Sequence, residues 1–414
     1  MDRHRRTTIS CGCLLVLATI VGDARATAQT PSPSRGPLFP AEPAWTQTLD
    51  GVPTAGPSTD GRLIYVPLQD GTVRALAVED GAPHWQASMA TAWRTLPSAG
   101  GLLVLGEAEL QALDVTSGGI RWHRALEAPP VAPAALAGDL VIVPLADGHL
   151  VAHDLAGSPV WRHLLGRPVR HPVASDGEDL LAAALDDGHV VGLDRASGAT
   201  RWTTALPGVL GPPVITADRV FVGSSDNFFY ALRAADGRLL WRWRTGGDVV
   251  GATGEAGLVY VVSLDNVLRA LEADRGHQRW MQALSGRPAF APVAARGVLV
   301  VGGISPRIDA VQQETGDDAG TFTAPEELMG APLVLAPRPD GSNVTMVLLT
   351  RAGTLQGLRS VVPPAPPPAD VDAPTGDQAS PAGVAPAPAG AEAPPGPPPG
   401  PPATAAPLGS PAPR

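Results

Sequence analysis

Residues 218–241 read Asp-Arg-Val-Phe-Val-Gly-Ser-Ser-Asp-Asn-Phe-Phe-Tyr-Ala-Leu-Arg-Ala-Ala-Asp-Gly-Arg-Leu-Leu-Trp, and this stretch decides the fold. Two short turns, Asp226-Asn227 and Asp236-Gly237, separate three runs of β-branched, aromatic and aliphatic residues. Asp, Asn and Gly tolerate the positive φ angles that tight hairpin turns need. Together with residues 211–216, the stretch predicts a four-stranded antiparallel meander of about 40 residues.

The same pattern recurs along the chain. A Trp follows the second turn of nearly every unit, and a Pro marks the first strand of most units. A period of about 40 residues with four strands per unit is typical of a β-propeller, in which each blade covers the faces of its neighbours. Ala252 replaces the Pro in the sixth unit. The repeated residues are Trp45, Trp85, Trp122, Trp161, Trp202, Trp241 and Trp280, with Pro57, Pro97, Pro133, Pro172, Pro213, Pro292 and Pro332.

The repeats predict an all-β, eight-bladed β-propeller of four-stranded antiparallel blades. The last unit, residues 331–359, ends before a fourth strand, whereas Trp45 has the phase of a fourth strand with no blade before it. We therefore predict that residues 44–49 pair into the last blade and close the ring, which removes two exposed sheet edges. Two units are irregular: Gly106-Glu107 shortens the turn of the second, and Phe322 stands near the expected Trp of the seventh.

The segments outside the repeats predict an exported protein. Residues 1–28 have a basic start, a short apolar core and small residues around Ala26 and Ala28, as in a secretory signal peptide. Residues 29–43 are predicted as a linker and 44–362 as the propeller. Residues 363–414 hold 19 Pro in 52 positions, which predicts a disordered Pro/Ala/Gly-rich tail. We expect a bacterial protein that is periplasmic or secreted, with no transmembrane segment in the mature chain.

Composition excludes several kinds of chemistry. Cys11 and Cys13 fall within the predicted signal peptide, so the mature chain would have no disulfide and no Cys nucleophile. All 30 basic residues are Arg, which excludes P-loop and Schiff-base chemistry because both need a Lys amine. A net charge of −10 argues against nucleic acid as a partner. We expect a monomer.

Two clusters of polar residues resemble sites but have simpler explanations. His149 and His153 have the spacing of metal ligands on a helix, yet the repeat places them on a strand, where four residues span about 13 Å. The Asp-Asp-Gly-His sequence at residues 186–189 has the phase of the hairpin turn in the other repeats, so turn formation explains its carboxylates.

Residues 222–246 resemble the repeat of the pyrroloquinoline-quinone-type β-propellers. Quinoprotein dehydrogenases share that repeat with the lipoprotein of the bacterial outer-membrane assembly machine and with many other exported proteins. The resemblance covers about residues 44–360. It implies the propeller fold and leaves three functions open: an exported scaffold that binds protein partners in the cell envelope, a quinone-dependent oxidoreductase, and a subunit similar to the outer-membrane assembly factor.

Of these functions, the residues favour the non-enzymatic scaffold. The resemblance implies that a quinoprotein holds its quinone and Ca²⁺ with Glu, Asn and Asp side chains over the channel, and that alcohol-oxidising members add adjacent cysteines. The predicted mature chain has no Cys, and its propeller lacks long insertions between blades. We therefore expect protein partners, no cofactor, no metal and no catalytic residue.

One group of basic residues is placed where a ligand could bind. Arg94, Arg170, His171 and Arg287 precede the phase-marking Pro residues, so we expect them near one mouth of the central channel. There they would contact an anionic ligand or an acidic loop of a partner. The alternative is that they are exposed side chains paired with neighbouring carboxylates.

Overall fold

The computed structural model describes residues 38–255, 257–336 and 343–361. Within these ranges, the chain forms eight four-stranded antiparallel sheets, which confirms the predicted all-β propeller with eight blades. No helix in the described ranges is long and apolar enough to cross a membrane. The predicted signal peptide, most of the predicted linker and the predicted tail lie outside the described residues.

The first strand of the chain, β1, spans Ala41–Thr48, and the blades follow it in order. Blade 1 has β2 (Ser58–Thr59), β3 (Leu63–Pro67), β4 (Thr72–Ala77) and β5 (Pro83–Ser88). Blade 2 has β6 (Leu96–Ser98), β7 (Gly101–Leu105), β8 (Glu109–Leu113) and β9 (Ile120–Ala125). Blade 3 has β10 (Ala135–Ala137), β11 (Leu140–Pro144), β12 (His149–Asp154) and β13 (Pro159–Leu164). Blade 4 has β14 (Ala174–Ser175), β15 (Leu180–Ala184), β16 (His189–Asp194) and β17 (Thr200–Ala205).

The second half repeats this order. Blade 5 has β18 (Val214–Thr216), β19 (Arg219–Gly223), β20 (Phe228–Arg233) and β21 (Leu239–Arg244). Blade 6 has β22 (Val249–Glu255), β23 (Leu258–Ser263), β24 (Val267–Glu272) and β25 (Gln278–Ala283). Blade 7 has β26 (Val293–Ala295), β27 (Val298–Val301), β28 (Arg307–Gln312) and β29 (Asp318–Thr323). Blade 8 has β30 (Leu333–Val334), β31 (Val344–Leu349) and β32 (Thr354–Ser360), with β1 as its fourth strand.

The ring closes as predicted. β1 pairs antiparallel with β32 from Ala41↔Ser360 to Thr48↔Thr354, so the start of the described chain completes the last blade. Apolar clusters then fill the space between each pair of blades, including a cluster between blades 8 and 1 that contains Leu76 and Leu355. Every sheet is thus covered on both faces, which explains why the middle strands are almost continuously apolar.

The recurrent Trp residues join each blade to the next. Each of the seven donates its indole N–H to a carbonyl oxygen beyond the third strand of the following blade, at 2.8–3.1 Å. Its ring lies on the Gly of that blade's second turn, where an added Cβ would come within 2.4–2.7 Å of a ring carbon. These Gly residues also have positive φ, so both the turn and the close approach of the ring require Gly.

Blade 7 differs from the sequence-based expectation. Gly320, rather than Phe322, occupies the position that Trp takes in the other blades, since it pairs with Ala310 on β28. In the other blades, the Trp of the preceding blade lies on the turn between the third and fourth strands. Blade 8 has no such turn, because its fourth strand is β1 and does not follow its third strand in the chain. Phe39 fills the space instead: a Cβ on Gly320 would lie 2.8 Å from the Cβ of Phe39.

The boundary between linker and propeller also differs from the prediction. Strand β1 begins at Ala41, and Leu38 and Phe39 before it are buried between blades 7 and 8. The propeller therefore includes the end of the segment predicted as linker.

Most phase-marking Pro residues stand just before the innermost strand rather than inside it. These strands are short, as in β14 and β18, and a Pro cannot donate a backbone hydrogen bond to the sheet. Blade 6 has Ala252 instead, and its innermost strand β22 extends to seven residues. The side chains considered below lie on the segments that lead into these innermost strands.

Candidate functional site

One face of the ring is built from two kinds of connection, and we call it the lead-in face. It comprises the segments that lead into each innermost strand and the turns between the second and third strands. In blade 1 the N–H of Gln69, in the turn, donates to the carbonyl of Val52, in the lead-in segment, at 2.9 Å. The same bond recurs at Ala146→Pro129, Asp186→Pro168, Ser225→Val209, Leu264→Asp248, Ile304→Arg287 and Arg351→Glu327.

Blade 2 departs from this arrangement. Its turn is shortened at Gly106-Glu107, as noted in the sequence, and the N–H of Gly106 bonds to Glu109 within the turn. The hydroxyl of Thr91 replaces the missing contact by donating to the carbonyl of Leu105 at 2.5 Å. The lead-in segment of blade 2 is thus held by a side chain rather than by the turn backbone.

A groove of about 420 Å³ lies at this irregular blade. The short turn leaves room for it, and its walls come from blade 1, blade 2 and the start of blade 3. The lining is mainly apolar and includes an aromatic ring and prolines. Residues that line the groove include Thr54, Gln69, Ala92, Trp93, Glu107 and Pro130.

Arg94 follows Trp93 in the chain and has no polar partner. Its neighbour Thr95 is fixed by a buried hydrogen bond, 2.6 Å between its hydroxyl and that of Ser58 on the adjacent innermost strand. The Arg94 side chain reaches solvent, yet the surrounding protein desolvates it and lowers the pKa of its guanidinium. Within the described residues it makes no hydrogen bond and no ion pair. Arg94 therefore keeps five N–H donors available to a ligand.

Arg170 and His171 in blade 4 are more constrained. Arg170 is exposed and lies 3.8 Å from a carboxylate oxygen of Asp186. His171 Nε2 donates to the carbonyl of Leu210 in blade 5 at 3.1 Å. Burial is the largest effect and lowers the pKa of His171, and the positive charge of Arg170 also lowers it. The hydrogen bond to Leu210 acts in the opposite direction and raises the pKa. His171 is thus neutral near pH 7 and serves mainly to join two blades.

The four predicted residues do not form one cluster. Arg94 precedes blade 2, Arg170 and His171 precede blade 4, and Arg287 precedes blade 7. Arg287 is exposed, and no ion pair of its guanidinium occurs in the described ranges. Arg170 thus fits the alternative of an exposed side chain paired with a neighbouring carboxylate. Arg94 and Arg287 make no ion pair within the described ranges.

Sequence reasoning missed Trp93. The signal was present, because Trp93 lies outside the period that seven of the nine Trp residues follow and stands in the unit with the shortened turn. The lead-in face also exposes Val52, Val209 and Ile304, each with about half of its surface accessible. Isolated apolar residues are common on protein surfaces, but here they share a face with the groove.

The polar residues of this face do not fit a bound quinone with Ca²⁺. Calcium takes six to eight oxygen ligands, mostly carboxylates and carbonyls. The described ranges contain no group of three or more His, Cys, Asp or Glu that could hold a metal ion. The lead-in segments that carry Arg94, Arg170 and Arg287 instead supply cationic donors, which cannot coordinate a cation.

The chain has similarity to known proteins at the level of its repeats. The profile of the PQQ_2 family, described as outer membrane protein assembly factor BamB, matches residues 69–206, 146–248 and 186–326, which together span more than half of the chain. The outer membrane protein assembly factor BamB of Xanthomonas campestris pv. campestris is 27% identical over 194 residues. That match covers 45% of this chain and 40% of the relative, so the chain spans less than half of the relative's length.

Solved structures show the same fold at lower identity. BamB from Moraxella catarrhalis superposes with a TM-score of 0.51 at 17% identity, covering 64% of this chain and 95% of that one. The quinohemoprotein alcohol dehydrogenase ADHIIG from Pseudomonas putida HK5 superposes with a TM-score of 0.58 at 14% identity, covering 79% and 78%. At these identities the likeness concerns the fold alone.

Proposed function

Because the chain belongs to the PQQ-like repeat family described as outer membrane protein assembly factor BamB, we propose that it is an exported, non-enzymatic scaffold that binds protein partners in the bacterial cell envelope. The observation that carries this proposal is the lead-in face at blade 2. An apolar groove with Trp93 in its wall lies there beside Arg94, a cation without a partner. Trp and Arg are enriched where proteins bind one another, and such residues dominate the binding energy.

The chemistry of the groove favours a protein segment as its occupant. Its apolar lining suits aliphatic or aromatic side chains, and the unpaired guanidinium of Arg94 suits a carboxylate beside them. Arg287 and the exposed Val209 extend the same combination of charge and apolar surface around the face. A partner with acidic and apolar residues on one surface would match it.

The more specific role that we propose is in outer membrane protein assembly. The named relatives are assembly factors for outer membrane proteins, and the repeats match their profile. A quinone-dependent oxidoreductase is the second candidate. It is supported only by the shared fold of the alcohol dehydrogenase, and the described ranges contain no group of three or more His, Cys, Asp or Glu that could hold its metal ion.

A gene deletion in the source bacterium tests this role. We expect the deletion to lower the amount of folded outer membrane proteins, measured by heat-modifiable migration on gels. Restoring the wild-type chain should reverse the loss, whereas the double variant Trp93→Ala with Arg94→Glu should not. Arg121→Glu, an exposed position on β9 away from the groove, is the control and should restore the wild-type level. Normal outer membrane protein content in the deletion strain would reject the role.

A further inference from the structure

His153 occupies a position that is aliphatic in every other blade. It follows Ala152, the residue of β12 that pairs with Trp161 on the outer strand. The residues at this position point into the apolar layer shared with the preceding blade and are at most 2% exposed. They are Leu76, Leu113, Leu193, Leu232, Leu271, Val311 and Leu358.

The imidazole of His153 is buried and makes no hydrogen bond to any residue that the structure describes. Only 8% of the residue is exposed, and Nδ1 is shielded from solvent with no partner. Burial lowers the pKa of His153, and the positive charge of Arg124 lowers it further, against a smaller opposing effect of Asp154. The ring is therefore neutral at pH 7, with one nitrogen able to donate and the other to accept. Buried polar groups in proteins nearly always have a hydrogen-bond partner, and a bound ligand would supply one for this ring.

His153 lines a groove of about 360 Å³ between the outer strands of blades 2 and 3, here called the blade 2–3 groove. Its walls are mainly apolar and include Leu126, Leu145, Val151 and Val160. This groove is at the rim of the propeller and is separate from the groove at Trp93 on the lead-in face.

Arg124 supplies a positive charge at the same groove. Its Nε donates to the carbonyl of Gly157 at 2.7 Å, and a terminal nitrogen donates to the carbonyl of His123 at 2.9 Å. Both acceptors are neutral, and the described part of the chain offers Arg124 no carboxylate in ion-pair range. The nearby Glu127 instead pairs with Arg162 at 3.1 Å. The groove thus combines an apolar wall, a neutral imidazole and an unneutralised guanidinium.

We propose that the blade 2–3 groove binds a small organic carboxylate with an apolar body. The carboxylate accepts hydrogen bonds from Arg124 and from a ring N–H of His153, while the apolar body lies along Leu126, Val151 and Val160. A charged acceptor gives the stronger class of hydrogen bond, and apolar walls with a few polar groups are typical of small-molecule sites. This ligand site does not depend on the proposed scaffold function.

Titration calorimetry of the full mature chain with sodium octanoate tests the proposal, and 1-octanol serves as the uncharged comparison. We expect saturable binding of one octanoate with a Kd below about 1 mM, and at least about tenfold weaker binding of 1-octanol. His153→Leu and Arg124→Gln should each weaken octanoate binding about tenfold or more. His153→Leu should fold, because the other blades carry an aliphatic residue there.

Matched controls are His163→Gln, on the opposite side of blade 3 next to Thr200, and Arg121→Gln on β9. Both should bind octanoate like the wild type. The ¹⁵N resonances of the His153 ring should also shift on binding and titrate at higher pH in the complex. The proposal is overturned by absence of binding at millimolar octanoate, by equal affinity for 1-octanol, or by undiminished binding to His153→Leu.

Discussion

The indole ring of Trp45 lies on Gly81, although Trp45 belongs to the blade that the chain completes last and Gly81 to the first. A Cβ on Gly81 would lie 2.6 Å from a carbon of the ring, and the indole N–H donates to the carbonyl of Val78 at 3.0 Å. The same contact joins consecutive blades elsewhere, from Trp85 on Gly118 to Trp280 on Gly316. The seam where the ring closes is therefore built like the other blade interfaces.

The first prediction concerns this seam. Trp45→Ala should lower the free energy of unfolding by about 3 kcal/mol, because a large partly buried ring and its hydrogen bond to Val78 are lost. The measurement is urea-induced unfolding followed by circular dichroism. Trp93→Ala is the control and should cost clearly less, because Trp93 is half-buried and its indole makes no hydrogen bond to a neighbouring blade within the described residues. Equal losses in the two variants would contradict the assigned role of Trp45.

The second prediction concerns His153. His153→Leu should raise the free energy of unfolding by about 1–3 kcal/mol at neutral pH, since it removes an unsatisfied buried imidazole from an apolar layer. The gain should grow on acidification. Because burial and Arg124 lower the native pKa of His153, the unfolded chain takes up its proton more readily, and wild-type stability falls as the pH drops below about 6.5.

Urea unfolding of both proteins at several pH values between about 7.5 and 5 measures this difference. His171 also has a lowered native pKa, but it is present in both proteins and cancels in the comparison. A pH-independent gap between wild type and His153→Leu would show that the native pKa of His153 is not lowered.

The repeats made the fold predictable from the sequence. Details of the irregular units were harder to predict. Trp45 and the incomplete last unit were sufficient to predict closure of the ring, because Trp45 has the phase of a fourth strand and the last unit lacks one. The burial of Phe39 was not predictable, since it depends on the absence of a turn in blade 8 that only the closed ring makes evident. By contrast, Gly320 could have been assigned to the Trp position from the sequence, since it follows Gly316 by the same four residues that separate Gly81 from Trp85.

The candidate sites were less predictable than the fold. Arg94 was identified from its distance to Pro97, but its lack of a partner depends on how the neighbouring blades surround it. The sequence suggests His153 only as a metal ligand beside His149, and both residues lie on strand β12, as predicted. The sequence shows that His153 is unusual only after the repeats are aligned, because the other repeats have Leu or Val at this position.

The third prediction concerns residues 363–414. Removing them should change the melting temperature by no more than a few degrees, because their sequence has no periodic apolar pattern that could add to a core. Differential scanning calorimetry of the mature chain with and without these residues is the measurement. A large fall in melting temperature would mean that the Pro-rich segment packs on the propeller.

The fourth prediction concerns pyrroloquinoline quinone. The mature protein should show no Ca²⁺-dependent tight binding of the quinone and no oxidation of alcohols or sugars with it, because the described residues bring no group of three or more His, Cys, Asp or Glu together that could hold the ion. Weak binding through the quinone carboxylates to Arg94 is compatible with the structure and should disappear in Arg94→Glu. Calorimetric titration with and without Ca²⁺, followed by a dye-reduction assay, separates the cases. Micromolar Ca²⁺-dependent affinity with turnover would favour the oxidoreductase.

The fifth prediction tests the scaffold function most directly, by in-cell photo-crosslinking of the full-length chain in its native envelope. A photoreactive residue at Gln69 reports on the groove beside Trp93, and one at Ser117, in a turn at the opposite face, is the control. The account predicts a discrete crosslinked envelope protein from Gln69 that is lost in Arg94→Glu and absent from Ser117. No crosslinked protein from Gln69, or the same products from both positions, would contradict it.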